Sequence, residues 1–170
     1  MARAEQMRRA ERSLLKEGVS LIDRISSFSP SDVVKLQDED VLRYVAKYSR
    51  NKGSRRKAVS ELIRLDAGHI LEYLALTCEF EDTRKSAIRG LARLSEADSL
   101  KTIVRSQNPR VVREACSGLF RNLDALIRKG DVQGLELIAK FSLANKQRKT
   151  SLHWIEKMRV MKMIKKIELG

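Results

Sequence analysis

Three stretches of this chain recur at a fixed interval. Leu42-Arg-Tyr-Val-Ala46, Leu71-Glu-Tyr-Leu-Ala75 and Leu100-Lys-Thr-Ile-Val104 begin 29 residues apart in both steps. Each is followed, after a polar break, by a second match: Ala58-Val-Ser-Glu-Leu62, Ala87-Ile-Arg-Gly-Leu91 and Ala115-Cys-Ser-Gly-Leu119. The offset from leading Leu to Ala is 16, 16 and 15. A fourth, weaker unit reads Leu135-Glu-Leu-Ile-Ala139 and then Thr150-Ser-Leu-His-Trp154, starting 35 residues after Leu100, so six extra residues separate units three and four. A period of this length marks a supersecondary unit that cannot bury its apolar face alone and must stack on its neighbours.

Within each unit the spacing predicts two short helices. Leu71, Leu74 and Cys78 fall on one helical face, as do Ala87, Leu91 and Leu94. Asn51-Lys-Gly53-Ser54 and Asn108-Pro109 carry turn chemistry between the helices, with Pro109 suited to the first turn of the helix that follows. Asp66-Ala-Gly68 punctuates the gap between units one and two. The small Ala58, Ala87 and Ala115 allow close approach of paired helices. Gln37-Asp38-Glu39-Asp40 is expected to open unit one, where the helix dipole favours negative charge.

Composition agrees with an all-α chain. The 170 residues suffice for one domain, and 42% hydrophobic with 34% charged residues supports a soluble core-forming protein. Aromatics at 5%, with 8 Gly and 2 Pro, argue against a β-sandwich. No apolar run is long enough to span a membrane, and no signal-peptide core is visible, so a cytoplasmic location is expected. Cys78 and Cys116 are expected to be buried, reduced thiols. The expected layout is a single domain over 1–170. A cap helix occupies 1–29, repeat units follow at 40–66, 69–95, 98–127 and 131–158, and a long basic helix over 150–168 closes the last unit.

In its second helices the chain resembles the HEAT-like repeat family. Arg55-Arg-Lys-Ala58 and Arg84-Lys-Ser-Ala87 fit the pattern of a basic residue, two residues, Ala, three residues and Leu. Asn108-Pro-Arg-Val-Val-Arg-Glu-Ala115 fits with its Arg one place late, at Arg113. The resemblance covers about 40–158. It implies a right-handed superhelical array of about four two-helix units plus terminal caps, with the second helices lining a concave, partner-binding surface. Tetratricopeptide and ankyrin signatures are absent.

Charge is placed in register with the repeat. The formal net charge is +13, from 35 basic and 22 acidic residues. Two positions before each repeat Ala lie Arg56, Lys85 and Arg113; six positions after lie Arg64, Arg93 and Arg121. Arg89 stands two positions after its Ala, where the other units have Ser60 and Ser117. Residues at i, i+4 and i+8 form a ridge along a helix, and stacking turns ridges into a cationic surface. By contrast, Asp66 to Asp82 holds five acidic residues and no Lys or Arg. A second basic segment, Lys146 to Lys166, interleaves with Trp154, Met158, Met161, Ile164 and Ile167. It reads as a closing helix over the last repeat, or as an amphipathic helix for a membrane surface or a partner groove.

Catalytic patterns are missing. His69 and His153, the only histidines, neighbour no activated nucleophile and are expected to be structural. There is no Gly-rich phosphate loop and no metal-ligand spacing. Members of the resembled family that bind iron carry His-Glu pairs, whereas here Ile70 and Trp154 follow the histidines. Members that excise alkylated bases rely on Trp residues and an Asp, and this chain has 1 Trp. A lyase-like or glycosylase-like activity is therefore not implied. The expected role is a binding scaffold without cofactor, metal or catalytic site. Arg56, Arg64, Lys85, Arg89, Arg93, Arg113 and Arg121 would contact the phosphates of RNA or DNA. The alternative is an adaptor whose same face binds an acidic protein.

Overall fold

The computed structural model describes residues 28–168, and the proposed 1–29 cap helix lies almost wholly outside them. The described residues form ten α-helices and no strand: α1 (Pro30–Val33), α2 (Glu39–Tyr48), α3 (Lys52–Arg64), α4 (Gly68–Thr77), α5 (Glu81–Arg93), α6 (Ala97–Arg105), α7 (Val112–Arg121), α8 (Leu123–Lys129), α9 (Val132–Phe141) and α10 (Asn145–Glu168). Helices α2/α3, α4/α5, α6/α7 and α9/α10 pack as hairpins. Helices α3, α5 and α7 then pack side by side in one layer, and α2, α4 and α6 in another. This is the neighbour-to-neighbour packing of a helical repeat.

The repeat is visible in the turns as well. Asp66, Ser95 and Gly130 each adopt a left-handed backbone, with φ of 57°, 60° and 65°. Two residues later a first helix begins, and the intervening amide reaches back to the helix before: Ala67 N–H to Leu62 O, Glu96 N–H to Leu91 O, and Asp131 N–H to Leu126 O. These bonds satisfy carbonyls left over at the end of each second helix. Leu126 thus takes the place that Leu62 and Leu91 hold in earlier units. The six extra residues are helical, since α8 lengthens the second half of unit three by about two turns.

Caps follow the side chains available. Asn51 accepts from the amides of Gly53 and Ser54, so the Asn-Lys-Gly-Ser break is the N-cap and first turn of α3. Asp38 caps α2 by accepting from Val41 N–H, and a Ser29/Asp32 capping box with Pro30 opens α1. Pro109 sits one turn earlier than the spacing suggested. It lies in a tight turn closed by Val111 and Val112 amides on Asn108 O, and α7 starts only at Val112.

The core is one continuous aliphatic cluster running from Val33 to Met158. Ala58, Ala87 and Ala115 are wholly buried in it, together with Leu62, Leu91 and Leu119. Cys78 and Cys116 are free and buried. His69 and His153 are both exposed, because each falls on the outer side of its helix. No helix among the described residues is long and apolar enough to cross a membrane.

Candidate functional site

The adjacent basic positions ahead of each repeat Ala play opposite parts. Arg55 and Arg84, three residues before Ala58 and Ala87, are buried. The Arg84 guanidinium donates to the carbonyls of Cys78 and Glu79 at 2.8 and 2.7 Å, closing the loop between α4 and α5. Arg55 does the same for Ser49 and Arg50, both at 3.0 Å. Its second nitrogen grips both carboxylate oxygens of Asp82 in the next unit at 2.9 and 3.1 Å, and the guanidinium lies 3.9 Å over the Phe80 ring. Arginine suits this place because its planar fork serves several acceptors at once and stacks on an aromatic face. In unit three the corresponding residue is the buried Val112. The basic residues that lead the family-like motif are therefore structural in units one and two.

One residue further along, the row turns outward. Arg56, Arg64, Arg89, Arg93, Arg113 and Arg121 are exposed or partly so, and Lys85 is half-exposed. Arg56, Lys85, Arg89 and Arg93 converge with Lys52 on a groove of about 490 Å³ between α3 and α5. Ser60 and Ser86 add hydroxyl groups, while Ile63 and Gly90 form part of its floor. The one carboxylate on the lining, Asp82, is already held by Arg55. Close approach at Gly90 shapes the groove: a Cβ there would lie 2.7 Å from Ile63 Cγ1.

Three ladder residues, two of them on the groove lining, are held in ion pairs. Arg89, although on the groove lining, reaches across to Glu114 of α7 at 2.9 Å and bridges the α5–α7 seam, as Arg55 with Asp82 bridges the α3–α5 seam. Arg64 pairs with Glu61 and Lys85 with Glu81, each at 2.6 Å along its own helix. Arg56, Arg93, Arg113 and Arg121 have no ion pair among the described residues. Arg113 and Arg121 stand on α7, outside the groove. Exposed pairs of this kind are weak and readily exchanged for another anion. Sequence reasoning overlooked Lys52, Ser60 and Ser86 as groove residues. Lys52 was legible as the same helix face, six residues before Ala58.

Neither thiol is placed for chemistry. Burial pushes the Cys116 thiol up to about 11 and also raises Cys78, so both are protonated and weakly nucleophilic near neutrality. Among the described residues no group of three or more His, Cys, Asp or Glu side chains could hold a metal ion. No family model matches this chain, and no curated protein or solved structure matches it.

Proposed function

We propose that this protein is a non-catalytic, HEAT-like binding scaffold, a right-handed superhelical array whose second-helix face engages the phosphate backbone of RNA or DNA. The observation that carries this reading is the α3–α5 groove. Five cations line it against a single carboxylate that another arginine already neutralises. Two serine hydroxyls supply further donors. Phosphodiester oxygens suit such a lining, since charge and donors at several points position a backbone without reading sequence. The lining has no aromatic ring on which an unpaired base could stack. Discrimination among sequences is therefore expected to be slight.

The test is charge reversal at Arg56, Lys85 and Arg93 together. Three reversals remove six charges, taking the formal net charge from +13 to +7. All three side chains are at least partly exposed, so the helices should be retained. Affinity for random-sequence RNA or DNA should fall by orders of magnitude, and the logarithmic salt slope should shrink by roughly 0.7–0.9 for each phosphate no longer neutralised. Reversing Lys35, Arg105 and Lys140, which are exposed and lie off the second helices, makes the same charge change away from the proposed binding face. Equal losses in both variants would reduce the effect to overall charge and dismiss the groove. A wild type that binds no nucleic acid at moderate salt would turn the reading to the adaptor, with an acidic protein on the same face.

A further inference from the structure

The last helix carries two stripes of the same spacing on opposite sides, one packed and one exposed. Ser151, Trp154, Ile155 and Met158 fall at i, i+3, i+4 and i+7, and they face α9, with Ser151, Ile155 and Met158 buried. Val160, Met163, Ile164 and Ile167 fall at the same spacing, nine residues on. Nine residues are two and a half turns, so the second stripe points away from the side that packs on the body. All four of its members are exposed, with Met163 at 59% and Ile167 at 80%. Where the first stripe would continue, the chain has Met161, which is exposed, and then Lys162 and Lys165. The helix thus stops serving as a cover at Met158. The expectation that this whole segment closes the last repeat holds only for its first half.

The charges beside the second stripe narrow what can cover it. From Lys157 to Ile167 there are five cations, Lys157, Arg159, Lys162, Lys165 and Lys166, and no carboxylate. Arg159 and Lys166 lie along one edge of the stripe and Lys157 along the other, with Arg159 also 3.7 Å from Glu136 of α9, while Lys162 and Lys165 stand on the far side. A second copy of this helix would set cation against cation. A nucleic acid would match the cations and leave the aliphatic stripe in water. What matches both is a surface that is anionic at its rim and apolar just beneath. Basic side chains edging an aliphatic strip are the layout of a helix lying in a membrane interface, with long cationic chains reaching up to the headgroups. The same helix is too charged to span a bilayer.

We propose that the Arg159–Ile167 end of α10 is a reversible docking element for membranes containing anionic lipid, separate from the α3–α5 groove. Nine residues with few large apolar groups give a weak anchor on their own, so binding depends on the anionic charge as much as on the stripe. A consequence is strong salt sensitivity and no affinity for neutral lipid.

The experiment is co-sedimentation of the full chain with phosphatidylcholine vesicles, with and without phosphatidylserine. The wild type should pellet only with the anionic vesicles, and amide exchange over 159–167 should slow when they are present. The double variant Ile164→Gln/Ile167→Gln keeps every charge and should lose binding by roughly tenfold or more, while nucleic-acid affinity is unchanged. Lys162→Gln/Lys165→Gln/Lys166→Gln keeps the stripe and should weaken binding about a hundredfold. Neutralising Arg56, Lys85 and Arg93 to Gln, an equal loss of charge, should cost far less. No binding to anionic vesicles at physiological salt would overturn the proposal. So would equal losses in the two triple variants, or a wild-type dimer that the double isoleucine variant dissolves.

Discussion

Two seams of the array are crossed by a buried cation that holds a carboxylate of the next unit, and the chemistry of the crossing differs. Between units one and two it is Arg55 with Asp82. The guanidinium is buried, serves two carbonyls of its own unit, takes both oxygens of Asp82 and lies on Phe80. Between units three and four it is Lys101 with Asp131. The ammonium, 2.8 Å from Asp131 and 2.7 Å from the exposed Asp98, is a point charge shared by two carboxylates. Asp131 also caps α9 by accepting from Gly134 N–H. Arginine at the first seam stands in for the water that several acceptors gave up, whereas lysine at the second balances charge. The first seam opens beside the basic groove. The second lies where α8 has lengthened the unit and α9 must be redirected, and a helix cap does double duty there.

That contrast predicts an order of damage. Arg55→Met should be the most disruptive change. It leaves two loop carbonyls and Asp82 without their partner, and breaking a buried pair from one side costs about 3–5 kcal/mol. Urea denaturation of the purified variant checks it, with Arg56→Met one residue away as the comparison. Arg56 is exposed and unpaired, so its loss should stay within about 0.5 kcal/mol. If the two variants proved equally stable, the inward and outward rows would not be distinct.

Close approach at the first seam gives the next effect. Gly90→Ala would put a methyl 2.7 and 2.8 Å from two carbons of the Ile63 side chain and 3.1 Å from Leu71. Ile63 Cγ1 cannot simply swing aside, so the α3–α5 spacing must widen, costing about 1–3 kcal/mol. Gly118, at the same repeat position in unit three, has its nearest neighbour at 3.1 Å, the terminal methyl of Leu100. Alanine there should be close to neutral, the tighter fit being offset by better helix propensity, about 1 kcal/mol. Thermal melts of the two variants measure the difference. An equal loss at both positions would place the strain within each unit rather than at the seam.

The period, the two-helix unit and most core positions were legible in the sequence, because aliphatic spacing and stacking are local matters. The wholly buried Ala58, Ala87 and Ala115 are an example. The charge rows were half legible. Arg55 and Arg56 are neighbours of the same chemistry, and about a hundred degrees of helix rotation decides that one goes inside. Only the position of loop carbonyls and of Asp82 on the next unit makes the inside place tenable, and neither is visible in a count of basic residues. Likewise Glu114 closing the α5–α7 seam through Arg89 depends on how far α7 stands from α5. Glu81 and Asp82 are the first residues of α5, where the helix dipole favours them. The nine-residue offset in α10 was present in the sequence, and was hidden there because both stripes have helical spacing.

The second seam should give the smallest effect and the only one set by pH. Burial works to lower the Lys101 pKa, yet its bonds and charge interactions with Asp131 and Asp98 outweigh this and hold it above 10.5. Burial likewise works to raise Asp131, but Lys101, the Gly134 amide and the charge of Arg105 win, and it falls below 3.8. A depressed carboxylate adds stability that is present above its unfolded pKa and is lost as pH drops through the folded value. A raised ammonium adds stability that is present below its unfolded pKa and is lost as pH climbs through the folded value. The wild type should therefore lose this contribution below about pH 4 and above about pH 10.5, and hold it between. Lys101→Met should cost about 1–2 kcal/mol near neutrality, since Asp131 stays partly solvated and solvent screens what is left unpaired. The cost should shrink at both extremes, most clearly on the alkaline side, where Lys101 itself discharges. Arg55→Met offers the control, because a guanidinium keeps its charge through that alkaline range and its loss should be felt undiminished. Stability curves of both variants against wild type across pH would show it; a Lys101→Met penalty that does not decline above about pH 10.5 would mean the side chain acts at this seam by packing rather than by charge.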